Sequence, residues 1–151
     1  MTAKETIVWV AEKERGYSEN PPNSNRTKYG KAFGLDGVPW CAMFVSWCYS
    51  KAGVTLPKIG FAKPGFAGCQ TAAAYFAKAG MLTVTPEPGD IVLYDWNQDG
   101  RFDHTGIYQR KIDAATFYAI EGNTAVGNDS NGGQVMQRRR KVTNAIFVRI
   151  P

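Results

Sequence analysis

One histidine, His104, and three cysteines, Cys41, Cys48 and Cys69, are the whole supply of imidazole and thiol in this chain of 151 residues. No two cysteines stand at a CxxC spacing and the imidazole is far away in sequence, which excludes a structural zinc site. The odd number of cysteines argues against a disulfide-built scaffold, leaving a single Cys48 to Cys69 bridge as an open alternative. Long apolar runs are missing too. The N-terminal stretch MTAKETIVWVAEKERGYSE mixes acids and bases into its apolar positions. It is therefore neither the apolar heart of a secretion signal nor a membrane span of about 20 residues. These absences predict a chain made in a cytoplasm, without a signal peptide and without membrane insertion. Internal repeats and low-complexity tracts are absent as well, so only residues 16 to 25 read as an extended loop.

What is present suits one globular domain over residues 1 to 151: 44% hydrophobic and 13% aromatic content, enough to bury about two thirds of the unfolded surface. The net charge of +5 favours an anionic polymer or surface as partner. The densest basic run, QRRRK at 137 to 141, lacks the interleaved aromatics that stack on bases, so it reads as a solvated strand face and not as a nucleic-acid site. Oligomeric state is not encoded in any of these features.

The hydrophobic period changes half-way. Thr2 caps a predicted helix from about Lys4 to Arg15, with Ile7, Val8, Val10 and Ala11 as its apolar stripe. A second helix starts at Cys41 and stops at Gly53; a third covers about Gln70 to Ala79. After that, DIVLYD, HTGIYQR, FYAIEGN, QVMQRRRK and AIFVRI are short, rich in β-branched and aromatic residues, and separated by turn signals such as Asp99-Gly100. They predict an antiparallel meander. Helices first and strands afterwards give an α+β class, with the helices packed on one face of the sheet.

Cys41 falls in a first helical turn, near unpaired N–H groups and the positive end of the helix dipole, and both favour thiolate over thiol. Cys48 lies inside the apolar helix body and reads as core, as does Cys69, which has no basic neighbour in sequence. A thiolate nucleophile needs a base to carry protons, and His104 at the head of HTGIYQR is the only imidazole available. Strand alternation in FYAIEGN places Ala119, Glu121 and Asn123 on one face. If that strand neighbours HTGIYQR, a carboxylate or amide from it can hold one imidazole nitrogen while the other faces Cys41.

The loop DWNQDGRFD, residues 95 to 103, resembles the opening of a calcium-binding loop: Asp95, Asn97 and Asp99 at alternate positions, Gly100 for the turn, the Arg101 carbonyl, then Asp103. Calcium held there would order the segment leading into His104. The twelfth position is Gly106 where a bidentate glutamate is usual, which predicts weak affinity; an acidic hairpin turn is the alternative.

Taken in order, GVPWCAMFVSWCYSKAG, PGDIVLYDW, DHTGIY and IEGNT resemble the CHAP family of cysteine, histidine-dependent amidohydrolases and peptidases. The resemblance covers roughly residues 25 to 150, and the order of cysteine before histidine separates it from circularly permuted relatives. It implies a papain-like fold, Cys41 as nucleophile, His104 as general base and acid, Glu121 as the group orienting the imidazole, and Asn123 as a further polar member. Trp40 and Tyr29 are candidates to line the substrate groove, with core or rim packing as the alternative. The implied substrate is bacterial peptidoglycan, cut at the amide joining muramic acid to L-alanine or within stem or bridge peptides. A phage-type lysin is the leading expectation, with nothing after Ile150 to form a wall-binding domain. An injected amidase toxin and a calcium-dependent wall-binding module without catalysis are the alternatives.

Overall fold

Two periodicities, helical before residue 80 and alternating after it, divide the architecture. A computed structural model describes all 151 residues. Helix α1 (Ala3–Lys13) starts where Thr2 Oγ1 accepts the Glu5 N–H at 3.1 Å, and it buries Ile7 and Ala11, one turn apart. A short α2 (Lys28–Phe33) is capped by Thr27, whose Oγ1 accepts the Gly30 N–H at 2.9 Å, and it ends on Gly34 in the left-handed conformation at φ 90°. Helix α3 (Cys41–Lys51) buries eight of its 11 residues. A helix apolar nearly all round belongs in the middle of a fold, and α3 touches α1, α2 and the central strands. Helix α4 (Cys69–Lys78) buries Cys69, Ala72, Ala73 and Phe76 at the spacing of one face.

The remaining elements are β1 (Leu82–Thr83), β2 (Ile91–Tyr94), β3 (His104–Lys111), β4 (Thr116–Thr124), β5 (Gln134–Lys141) and β6 (Ala145–Val148), all paired antiparallel in the order β1-β6-β2-β3-β4-β5. The expected meander therefore holds only from β2 to β5. Strand β6 returns to pair with β2, Tyr94 facing Ala145 and Ile91 facing Val148. Composition supplies the reason: AIFV buries Phe147 and Val148 and gains from being covered on both edges, while the arginine-rich β5 tolerates an open edge.

Alternation along β2 feeds two cores. Ile91 and Leu93 join Ile107, Ile120 and Val148 against Phe44, Val45 and Cys48 on the helical side. Val92 and Tyr94 join Tyr108, Phe117, Ala119 and Phe147 on the other, where Trp96, Val142 and Ala145 pack on them. This is the α+β arrangement, with helices on one face of an antiparallel sheet, and its sheet end carries His104 as the first residue of β3. No helix of the chain is long and apolar enough to cross a membrane.

Candidate active site

Cys41 is the first residue of α3, at a helix start that no side chain caps. It keeps 6% of its surface exposed, against none for Cys48 in the body of the same helix. Its Sγ lies 3.9 Å from the Sγ of Cys69. A hydrogen bond from the Cys69 thiol, then the His104 imidazole, then the Thr105 N–H hold the Cys41 thiol well below its ordinary pKa against the opposing effect of burial. The Cys69 thiol is pushed the other way, first by donating to Cys41 and then by its own burial. Cys41 is therefore the member of the pair that ionises.

His104 is wholly buried, and its Nε2 is 2.9 Å from Glu121 Oε1. Nδ1, the ring's other nitrogen, is buried without a hydrogen-bond partner. The ring stacks on Tyr94 and Trp96, with centroids 5.7 and 6.0 Å away. Burial works against protonation of His104, yet the Glu121 carboxylate and then the Cys41 sulfur push its pKa up to about 9. Burial likewise opposes ionisation of Glu121, and His104 and Arg140 overcome it, drawing its pKa down to about 2. These directions favour a thiolate on Cys41, an imidazolium on His104 and a carboxylate on Glu121, with Arg140 bonded to that carboxylate. Arg140 donates from Nε to Glu121 Oε2 at 2.9 Å and from Nη2 to Oε1 at 2.5 Å.

A family model, the CHAP domain, matches residues 34–123. The chain belongs to the CHAP family. Its fold is also similar to the solved structure described as the crystal structure of Ly7917, with a TM-score of 0.50 and 10% sequence identity, over 96% of this chain and 62% of that one. At that identity the likeness speaks for the fold alone, and the chain spans less than two thirds of Ly7917. No curated protein matches the chain. CHAP domains are in general hydrolytic, of the peptidoglycan amidase and peptidase type.

Within this CHAP domain, His104 and Glu121 meet directly, and Cys41 and His104 shift each other's ionisation. Asn123 does not join them. A register shift between Glu121 and Thr124, with Asn123 in the left-handed region at φ 60°, breaks the alternation that was to align the two. Asn123 is buried and spends its amide on the neighbouring turn, donating to Asn131 Oδ1 at 3.1 Å and accepting the Gly133 N–H at 3.0 Å.

Trp40 and Tyr29 do not line the site either. Both are fully buried and stacked at 5.5 Å, with the Trp40 Nε1 donating to Glu19 at 3.0 Å and the Tyr29 hydroxyl to Glu14 at 2.7 Å. Large aromatics next to a helix start pack into the core when buried acids can satisfy their polar ends. Tyr29 does face a cleft of about 350 Å³, shared with Met43, Ser46, Trp47 and Lys63, but none of Cys41, His104 and Glu121 lines that cleft.

Two further expectations change. All three cysteines are free, and Cys69 meets Cys41 and not Cys48, so no bridge between Cys48 and Cys69 forms. The basic run is only partly a solvated face, because Arg140 retains 7% of its exposure and lies under Tyr94 and Trp96. Its signal in sequence was faint: an arginine at an inward position of an edge strand, opposite a strand that carries a glutamate.

The 95–103 loop folds back on its own amides, and its acids do not converge. Asp95 accepts the N–H groups of Asp99 at 3.2 Å and Gly100 at 2.7 Å, and Asp99 accepts the Arg101 N–H at 3.0 Å. These bonds use half of the acceptor positions on Asp95. No three Asp, Glu, His or Cys side chains gather around a common point, in this loop or elsewhere in the chain. The donor types fit a hard cation while the side-chain arrangement fits it only in part.

Proposed function

We propose that this CHAP domain cleaves an amide of bacterial peptidoglycan, either between muramic acid and L-alanine or within the stem or bridge peptides, with Cys41 as nucleophile. The reading is supported above all by one relationship: the chain's single imidazole is held at Nε2 by Glu121, keeps Nδ1 free of any hydrogen-bond partner, and lowers the pKa of a thiol at a helix start. The Cys41 thiolate attacks the amide carbonyl carbon, and its N–H at the uncapped start of α3 donates to the developing oxyanion. His104, protonated, gives its proton to the departing amine, which breaks the C–N bond and leaves a thioester on Cys41. The now neutral imidazole takes a proton from water, the hydroxide attacks the thioester, and Cys41 leaves as thiolate with His104 again charged. Glu121 keeps the ring oriented and balances its charge throughout.

The net charge of +5 suits an anionic wall, and a lytic role of the kind phage lysins play is the biological setting we propose. Calcium in the 95–103 loop remains part of the proposal as a structural ion held by Asp95, Asn97, Asp99, Asp103 and the Arg101 carbonyl, with no part in the chemistry. The test is digestion of purified cell walls followed by mass spectrometry of the products. New N-termini on L-alanine identify an amidase, and new termini inside the stem or bridge identify an endopeptidase. Cys41→Ser is expected to lower product release by about 10³-fold or more while leaving the circular dichroism spectrum unchanged. Undiminished release by that variant overturns the nucleophile assignment.

A further inference from the structure

Helices α3 and α4 each begin with a cysteine, and the fold points the two helix starts at each other so that the sulfurs stand 3.9 Å apart. We propose that Cys41 and Cys69 form an oxidisable dithiol, and that a hydroperoxide switches the site off reversibly by joining them. The proposal goes beyond the hydrolytic reading and rests on it only for what is switched off. The joining itself is a property of two thiols and can be read without any substrate.

Exposure distinguishes these two thiols from the third. Cys41 and Cys69 retain 6% and 8% of their surface, whereas Cys48 retains none. Placement is held from a second direction, because Gln70, next to Cys69, accepts the Phe102 N–H through Oε1 at 2.8 Å. That bond ties the start of α4 to the segment entering β3, on which His104 stands. Packing alone gives no reason for sulfur at position 69: α4 continues its buried face with Ala72 and Ala73, and a methyl group would serve the same face.

The chemistry balances with one hydroperoxide. The Cys41 thiolate attacks an oxygen of ROOH, the O–O bond breaks, and Cys41 becomes a sulfenic acid while RO⁻ takes a proton and leaves as ROH. The Cys69 sulfur then attacks the Cys41 sulfur. Hydroxide leaves with the Cys69 proton as water, and the S–S bond forms. Two thiols lose two hydrogens and two electrons, and the peroxide is reduced to an alcohol and water. The sulfurs must close from 3.9 Å to about 2.05 Å, a movement within reach of side-chain rotation. The nucleophile is then consumed, and a dithiol reductant restores it.

The experiment treats the reduced chain, and its Cys69→Ala and Cys69→Ser variants, with one equivalent of hydrogen peroxide, followed by mass spectrometry, a chymotryptic map and a wall-digestion assay before and after dithiothreitol. Chymotrypsin cuts at Phe44 and Trp47, between Cys41 and Cys48, so the partner of Cys41 is identified directly. The expected result for the natural chain is a mass about 2 Da lower, as a two-electron dithiol oxidation requires, with a Cys41 to Cys69 linked peptide. Wall digestion is lost and then recovered on reduction. Both variants are expected to gain about 16 Da or more as oxygen on Cys41. If no linked peptide forms and Cys41 of the natural chain gains oxygen as the variants do, the dithiol is overturned. Linkage with undiminished digestion overturns the switch. Linkage in a chain that never digests walls supports the dithiol and counts against the hydrolytic reading alone.

Discussion

Arg140 and Glu121 meet through two parallel hydrogen bonds, Nε to Oε2 at 2.9 Å and Nη2 to Oε1 at 2.5 Å, and Oε1 is the same oxygen that stands 2.9 Å from His104 Nε2. One carboxylate is thus shared by a guanidinium and an imidazole. The fork geometry fixes the plane of Glu121, and Glu121 in turn holds the imidazole at Nε2. Arg140 is a positioning residue, one step removed from the thiol.

Breaking this pair should be costly because both partners are buried, Glu121 wholly and Arg140 to 7% exposure. Arg140→Met is expected to lower the unfolding free energy by about 3–5 kcal/mol, since it strips a buried carboxylate of its fork-shaped partner. Arg140→Lys should lose less, as a point charge without the fork. The Asp129 side chain is 51% exposed where it meets Arg140, so Asp129→Asn should cost under about 1 kcal/mol. Urea titrations of the three variants check this, and equal losses at positions 129 and 140 would contradict the buried clamp.

The pH dependence follows from the directions of the two shifts. His104 rises from 6.5 to about 9 in the folded chain, so its stabilising contribution is complete below 6.5 and is lost as pH rises through about 9. Glu121 falls from 4.5 to about 2, so its contribution is complete above 4.5 and disappears as pH drops towards about 2. Cleavage requires the imidazolium to protonate the leaving amine. The rate of wall digestion should therefore hold across neutral pH and decline with an apparent pKa of about 9 on the alkaline side. Glu121→Gln removes the carboxylate charge that raises His104 and should move that alkaline limb to lower pH. A limb that stays in place would show that Glu121 does not set the His104 ionisation.

Local chemistry made much of the site legible in the sequence. A cysteine after Pro39 and Trp40 at the head of an apolar run, a histidine opening a strand and a glutamate in the next strand are short-range signals, and each element formed where its period indicated. What escaped depends on contacts between distant segments or on broken periodicity. Cys69 opens its helix after Gly68 much as Cys41 opens its own after Trp40, a parallel present in the sequence, but nothing local says that the two helix starts face each other. Arg140 stands in a run of basic residues whose common charge masks its one inward position. The bulge at Asn123 breaks the alternation that would set it beside Glu121. Strand β6 departs from the hairpin rule because its apolar composition favours cover on both edges.

Two glycines carry the close packing that brings these distant elements together, and each gives a sharp expectation. A Cβ at Gly122 would stand 2.6 Å from Phe44 Cβ and 2.8 Å from Trp40 Cζ3, and one at Gly106 would stand 2.5 Å from Glu121 Cγ. Gly122→Ala should push α3 away from β4 and cost about 1–3 kcal/mol, the usual penalty for overpacking a core. Gly106→Ala meets the carboxylate arm itself. It should therefore reduce wall digestion by a larger factor than its loss of thermal stability would suggest. Thermal melts paired with initial rates test both, and an active, stable Gly106→Ala chain would mean that Glu121 has room to spare around the imidazole.

Calcium is the expectation that most needs a titration, since the 95–103 loop has the right oxygens without the right convergence. Binding would draw Asp95, Asp99 and Asp103 together while Asp95 kept the Asp99 and Gly100 N–H groups. With Gly106 at the position usually taken by a bidentate glutamate, the dissociation constant should lie in the weak range of about 10⁻⁴–10⁻³ M. An ion that binds only the folded chain, present at ten times that constant, stabilises it by about 1.4 kcal/mol. For a domain of this size that is a rise in melting temperature of about 3–5 °C. Asp99→Asn should abolish the rise without moving the melting temperature in chelator. Because Asp103 adjoins His104, the same titration should raise wall digestion in parallel with stability. A melting temperature that is flat from micromolar to ten-millimolar calcium would reduce the loop to an acidic turn, held by its own amides and indifferent to the ion.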